Sequence, residues 1–123
     1  MEANSEVLKI LNEEFGDRKS HAFLVLIDNL TAEQKNNVYN KTMSSAFLKL
    51  MGEVELVKTA LDFLKNNLNV SKSSRDAFLH RNTLFYRLEK IHKLTGLNLK
   101  EFEDAFTFKL LMGIYYEKTK GNK

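Results

Sequence analysis

The sequence predicts an all-α fold, and three observations carry that expectation. The 123 residues include no proline and only five glycines; proline breaks helix interiors and glycine weakens them. Apolar residues recur at the three- and four-residue spacing of helices along most of the chain. Between residues 69 and 96 a short helical segment, a tight connection and a longer helical segment follow one another, the outline of a helix-turn-helix. The expected architecture is therefore a small helical domain containing a helix-turn-helix, with additional N-terminal helices.

Each element has its own signal. Residues 2–15 place Ala3, Val7, Ile10, Leu11 and Phe15 on one side of a helix, with Gly16 just beyond its end. Residues 20–30, SHAFLVLIDNL, are apolar enough for a buried strand, but no second strand is available to pair with it, so a helix is expected. Residues 31–34, TAEQ, form a capping-box pattern in which the Thr31 hydroxyl accepts from a backbone N–H and Gln34 reaches back. That pattern predicts a helix from Ala32 to about Leu50, with Gly52 as punctuation. Residues 53–68 gather Leu56, Val57, Ala60, Leu61, Leu64 and Leu68 on one face. A short helix follows in NVSKSSRDAF, with Asn or Ser available to cap it. The longer helix starts at HRNTLFYRL and ends at Gly96, the residue type favoured at helix C-termini. A last helix runs from Lys100 to about Lys118, with Phe102, Ala105, Phe106, Leu110 and Ile114 expected inward. A chain of this length is the size of one domain. We expect a helical extension over residues 1–50, available for dimerisation, a helix-turn-helix domain over 51–118 and a frayed tail over 119–123.

Several function classes find no support. There is no cysteine, so disulfides and thiolate metal sites are excluded. His21, His80 and His92 are far apart, and none pairs with another at helical metal-ligand spacing. The glycines are scattered, so no phosphate-cradling loop is present. Nothing asks for an enzyme, a cofactor or a metal. The longest apolar run, residues 22–27, is far short of a membrane span. The N-terminus MEANSEVLKI lacks the basic start and apolar run of a secretion signal. A cytoplasmic, nucleoid-associated protein is expected.

Charge is unevenly distributed. Residues 1–70 carry 8 basic and 10 acidic side chains, whereas residues 71–93 carry 6 basic and 2 acidic. Local clustering of this kind marks a polyanion-binding surface better than net charge does. In the longer helix, Leu84, Leu88 and Ile91 form an apolar stripe. His80, Arg81, Asn82, Thr83, Tyr86 and Arg87 occupy the exposed N-terminal turns. A recognition helix enters the major groove in this way, with N-terminal residues at base edges and its apolar stripe on the scaffold. Arg81 suits guanine O6 and N7, and Asn82 suits adenine N6 and N7. Thr83 suits a phosphate or a thymine methyl. Arg87, Lys90 and Lys72 suit phosphates, which position a protein without reading sequence. Ser73 completes the set on the first helix. His80 suits a cap or phosphate role, and Tyr86 a phosphate contact. A basic helix face is more often simply solvated, and a tyrosine of this kind more often packs with a wet hydroxyl.

The residues that shift this balance are HRNTLFYRL followed by Lys90-Ile91 and Leu94-Thr95-Gly96. They resemble the C-terminal helix-turn-helix of the PucR and sugar-diacid-regulator family, whose core reads H-R-N-T-L-x-Y-R-L, then K-I and L-T-G. The resemblance is firm over residues 53–99 and extends faintly over about 20–115. Its fold logic is similar to that of the C-terminal region of the nucleoid protein Fis. Ser74 stands where the family usually has alanine, and Ala77 where a larger apolar residue is common. The resemblance implies a bacterial transcriptional regulator, usually dimeric and usually with a large N-terminal sensor. No sensor is legible here, which bears on ligand control and not on DNA binding; a small-molecule effector stays open, as does whether the chain stands alone or is a piece of a longer regulator. The expectation is a homodimer that binds double-stranded DNA, with two-fold half-sites about 34 Å apart or a multiple of it. Candidate dimer surfaces are the N-terminal helix and the Phe-rich last helix. Two alternatives remain: an architectural DNA binder of low specificity, and a helical interaction module that has lost DNA binding.

Overall fold

The computed structural model describes residues 3–17 and 21–120, which form eight helices and no strand. They are α1 (Ser5–Phe15), α2 (Ala22–Asp28), α3 (Ala32–Thr42), α4 (Ser45–Leu50), α5 (Val54–Lys65), α6 (Val70–Asp76), α7 (Arg81–Thr95) and α8 (Phe102–Thr119). The expected helix starts at residues 2 and 20 and the last residues of the tail lie outside the described residues.

Local chemistry sets the starts. The Asn4 side chain accepts from the N–H groups of Glu6 and Val7. The capping box forms as expected, with Gln34 N–H donating to Thr31 Oγ1 at 3.1 Å and Thr31 N–H to Gln34 Oε1 at 2.9 Å. Asn69 caps α6 by accepting from the Lys72 N–H at 2.8 Å. Such caps satisfy backbone donors that have no intrahelical partner.

Three boundaries differ from expectation. The single helix expected from 32 to 50 is two, because the Ser44 hydroxyl caps a new start by accepting from the Phe47 N–H at 3.0 Å. Serine competes for backbone groups in this way. α5 stops at Lys65, where Asn67 and Leu68 turn left-handed (φ 56° and 62°) and the Leu68 N–H donates to the Phe63 carbonyl at 3.0 Å. This is a helix-closing turn made without glycine. α8 extends through Thr119, which is buried, so the expected fraying at 119 is not seen there.

One continuous core joins the N-terminal helices to the rest. Val7, Leu11 and Phe15 of α1 are fully buried together with Leu24 of α2, Val57, Ala60 and Phe63 of α5, and Phe108 and Met112 of α8. The boundary expected after residue 50 falls between Leu50 and Met51, both fully buried, so no gap in packing marks it. Polar ties run the same way. Tyr116 donates to Asn12 Oδ1 at 2.6 Å. The Glu14 carboxylate lies 3.7 Å from the Lys65 ammonium and 3.8 Å from that of Lys109.

The inward face of α8 is corrected. Phe102 and Phe106 are 69% and 51% exposed, whereas Ala105, Phe108, Met112, Tyr115 and Tyr116 are buried. The helix is apolar on both sides, so periodicity offered two stripes, and the one at 105–108–112 won. Gly113 helps decide this. A Cβ there would lie 2.3 Å from the edge of the Phe23 ring, so glycine is what admits α2 against α8.

Candidate nucleic-acid interface

The site is built on α6 and α7. α6 closes with the Leu79 N–H donating to the Ser74 carbonyl at 2.9 Å, and Phe78 takes the left-handed position at φ 55°. Glycine is the usual occupant there because it has no Cβ penalty. Ser74 is buried where the two helices meet, and its hydroxyl is spent on the Val70 carbonyl at 2.7 Å. The turn then releases α7, which packs on α4, α5 and α6. Its buried stripe is Leu84, Leu88 and Ile91, as expected, and Gly96 (φ 81°) closes its far end.

His80 is the N-cap of α7: its Nδ1 accepts from the Asn82 N–H at 3.0 Å. Arg81, Asn82, Tyr86 and Lys90 are exposed around the open N-terminal turns, and Thr83 is half-buried beside them. Lys72 is exposed on α6. Arg81 reaches back across the turn, with Nη2 donating to the Ser71 hydroxyl at 3.0 Å. A guanidinium has five N–H donors, so that bond leaves enough for a two-pronged contact with a base.

Two expected contacts sit elsewhere. Ser73 is 2% exposed and its hydroxyl is buried without a hydrogen-bond partner, so it faces the protein interior and offers nothing to a ligand. Arg87 turns toward α5. Its Nη1 donates to Thr59 Oγ1 at 3.2 Å, and its Nη2 lies 3.3 Å from Glu55 Oε2. The reason is spacing: 84, 87, 88 and 91 stand at i, i+3, i+4 and i+7, one helix face. That stripe was readable in the sequence, but the charge of arginine argued against it. The serine that α6 presents to Arg81 is Ser71, two residues before the one expected, because the rotation of a two-turn helix is set by packing and not by its polar sequence.

A short helix that buttresses a longer one, whose basic and amide-bearing first turn stands free, defines a helix-turn-helix domain. Comparison with known proteins agrees: residues 56–114 match the PucR C-terminal helix-turn-helix domain. The chain is 31% identical over 83 residues to the purine catabolism regulatory protein of Bacillus subtilis, covering 68% of this chain and 16% of that protein. It is 37% identical over 81 residues to the carbohydrate diacid regulator of Escherichia coli, covering 65% and 20%. With the proline-responsive transcriptional activator of B. subtilis it shares 35% identity over 74 residues, covering 57% and 18%. It thus spans a fifth or less of each of these three relatives. No solved structure matches.

Among the described residues, no helix is long and apolar enough to cross a membrane, and no cluster of side chains is arranged to hold a metal.

Proposed function

We propose that this chain binds double-stranded DNA sequence-specifically as a homodimer and regulates transcription from the nucleoid in the cytoplasm. One observation carries the reading. Arg81 and Asn82 stand exposed on the free first turn of α7 while Leu84, Leu88 and Ile91 fix the opposite face to the scaffold. Side chains so placed reach base edges when the helix enters a major groove. Lys72, Lys90 and Tyr86 flank them as phosphate contacts, and His80 fixes the helix start. The regulators that share the domain support the same reading.

A dimer follows from the small footprint of one recognition helix, which covers too few base pairs for specificity in a genome. The apolar stripe of α1 is consumed inside the protomer, so α8 is the surface that remains. Phe102 and Phe106 stack at 6.0 Å with their rings 17° apart, on the outside of the molecule.

The test is selection from a random double-stranded library, followed by binding to the selected site and to random DNA at several salt concentrations. The reading requires a selected site, preferred at least a thousandfold, and affinity that falls steeply with salt. Equal binding to both DNAs makes the protein an architectural binder. No salt-dependent binding leaves an interaction module.

A further inference from the structure

We infer that Arg87 is a positioning residue: its guanidinium, held by Thr59 and Glu55 on α5, sets the roll of the recognition helix and hence the aim of Arg81 and Asn82. This rests on the reading of α7 as a recognition helix.

The geometry is directional. Thr59 is 5% exposed. Its hydroxyl donates to the Glu55 carbonyl at 2.7 Å, which fixes the hydrogen and leaves the oxygen to accept from Arg87 at 3.2 Å. Glu55 and Thr59 are one turn apart on α5, so two prongs of one guanidinium meet two successive turns of the same helix. Of the two partners Thr59 is the firmer. The Glu55 side chain is 73% exposed against 24% for Arg87, and an ion pair so open to water contributes little.

The buried stripe of α7 is apolar: Leu84, Leu88 and Ile91 share one core with Leu56, Val57 and Ala60 of α5, and the hydrophobic effect that holds them there is non-directional. A hydrogen bond weakens steeply when bent. The network therefore fixes what the apolar stripe leaves loose, the rotation of α7 about its own axis. A helix with its side chains is about 10–12 Å across, so a roll of about 20° moves its outer surface by roughly 2 Å. Arg81 lies six residues from Arg87, about 9 Å along the axis. A shift of that size at Arg81 is enough to lose a paired contact with a base edge while phosphate contacts, made by long side chains, readjust.

Thr59 makes this testable because it is buried and uncharged. Thr59→Val keeps the shape and removes the acceptor; Thr59→Ser keeps the acceptor. Each variant is bound to a library-selected site and to random DNA across a salt series, at a temperature where circular dichroism shows it folded. Thr59→Val and Arg87→Gln should each lower affinity for the selected site about tenfold or more, the scale of one hydrogen bond to a charged group. Both should leave random DNA bound within about twofold and the salt slope unchanged. Thr59→Ser should behave as wild type. Loss of fold would look different, lowering both affinities together. The inference is overturned if Thr59→Val binds as wild type while Arg87→Gln weakens both DNAs and lowers the slope by about one unit, the signature of a phosphate contact. Should Thr59→Val not fold, Arg87→Lys decides. It keeps the charge but cannot hold both partners, so positioning requires lost discrimination and a phosphate role requires wild-type binding. Absence of DNA binding by the wild type is a separate result, which removes the DNA reading itself and this inference with it.

Discussion

Replacing Phe15 with alanine should destabilise the helix-turn-helix along with α1. Phe15 is fully buried, and its ring is flanked by those of His21, Phe23 and Tyr116 at 5.1, 6.1 and 6.0 Å between centroids. Truncating a buried phenylalanine costs about 3–5 kcal/mol, and aromatic neighbours that cannot collapse into the space favour the upper half of that range. For a domain of this size the melting temperature should fall by about 10–20 °C. If α1, α5 and α8 share one cooperative core, the loss spreads to elements that never touch Phe15. Hydrogen exchange reads this directly. The amides of Leu88 and Ile91 in α7 should exchange faster by about a hundredfold to a few thousandfold, the same free energy seen in the melt. Wild-type protection in α7 alongside lost protection in α1 would refute the reasoning, and would make residues 1–50 a separate unit.

Leu88→Ala should cost about 2–5 kcal/mol because Leu88 is 3% exposed, while Arg81→Ala stays within roughly 0.5 kcal/mol in the same thermal melts; equal losses would mean α7 is rotated from its described pose. Phe78→Gly should raise stability by about 1 kcal/mol, since the left-handed position penalises any Cβ and a side chain 95% exposed gives up no core contact; a lower melting temperature would show that the ring is held by something. If the α8 face supplies the dimer, Phe106→Glu should convert a micromolar dimer to monomer in sedimentation without lowering the helical content. A wild-type monomer at high concentration would remove the two-fold site but not DNA binding.

How much of this was legible in the sequence depends on which force decided each feature. Caps and closing glycines act within a few residues, so the Thr31–Gln34 box and Gly96 were readable and form as expected. The stripe 84–88–91 was readable because the opposite face of α7 is strongly polar. α8 lacks that contrast, and its inward face was settled by what packs on it: Phe23 on Gly113 and Phe47 against Phe108. The break at Ser44 was hidden because serine is tolerated inside helices as well as at their starts. In the site, residue type and helix position anticipated the exposure of Arg81 and Asn82 and the His80 cap. They did not anticipate that Arg87 turns to α5 or that Ser73 is buried, because both depend on tertiary packing.

The central claim is that the first turn of α7 reads base edges, and Arg81→Ala tests it most directly. Wild type and variant are each titrated against a library-selected site and random DNA across a salt series. Losing a paired arginine–guanine contact costs about 1–3 kcal/mol on the preferred site. Affinity for that site should therefore fall about fivefold to a hundredfold and preference should relax at one base position. Affinity for random DNA should change far less. A parallel loss on both DNAs, with a salt slope lower by about one unit, would contradict the claim and make Arg81 a phosphate contact.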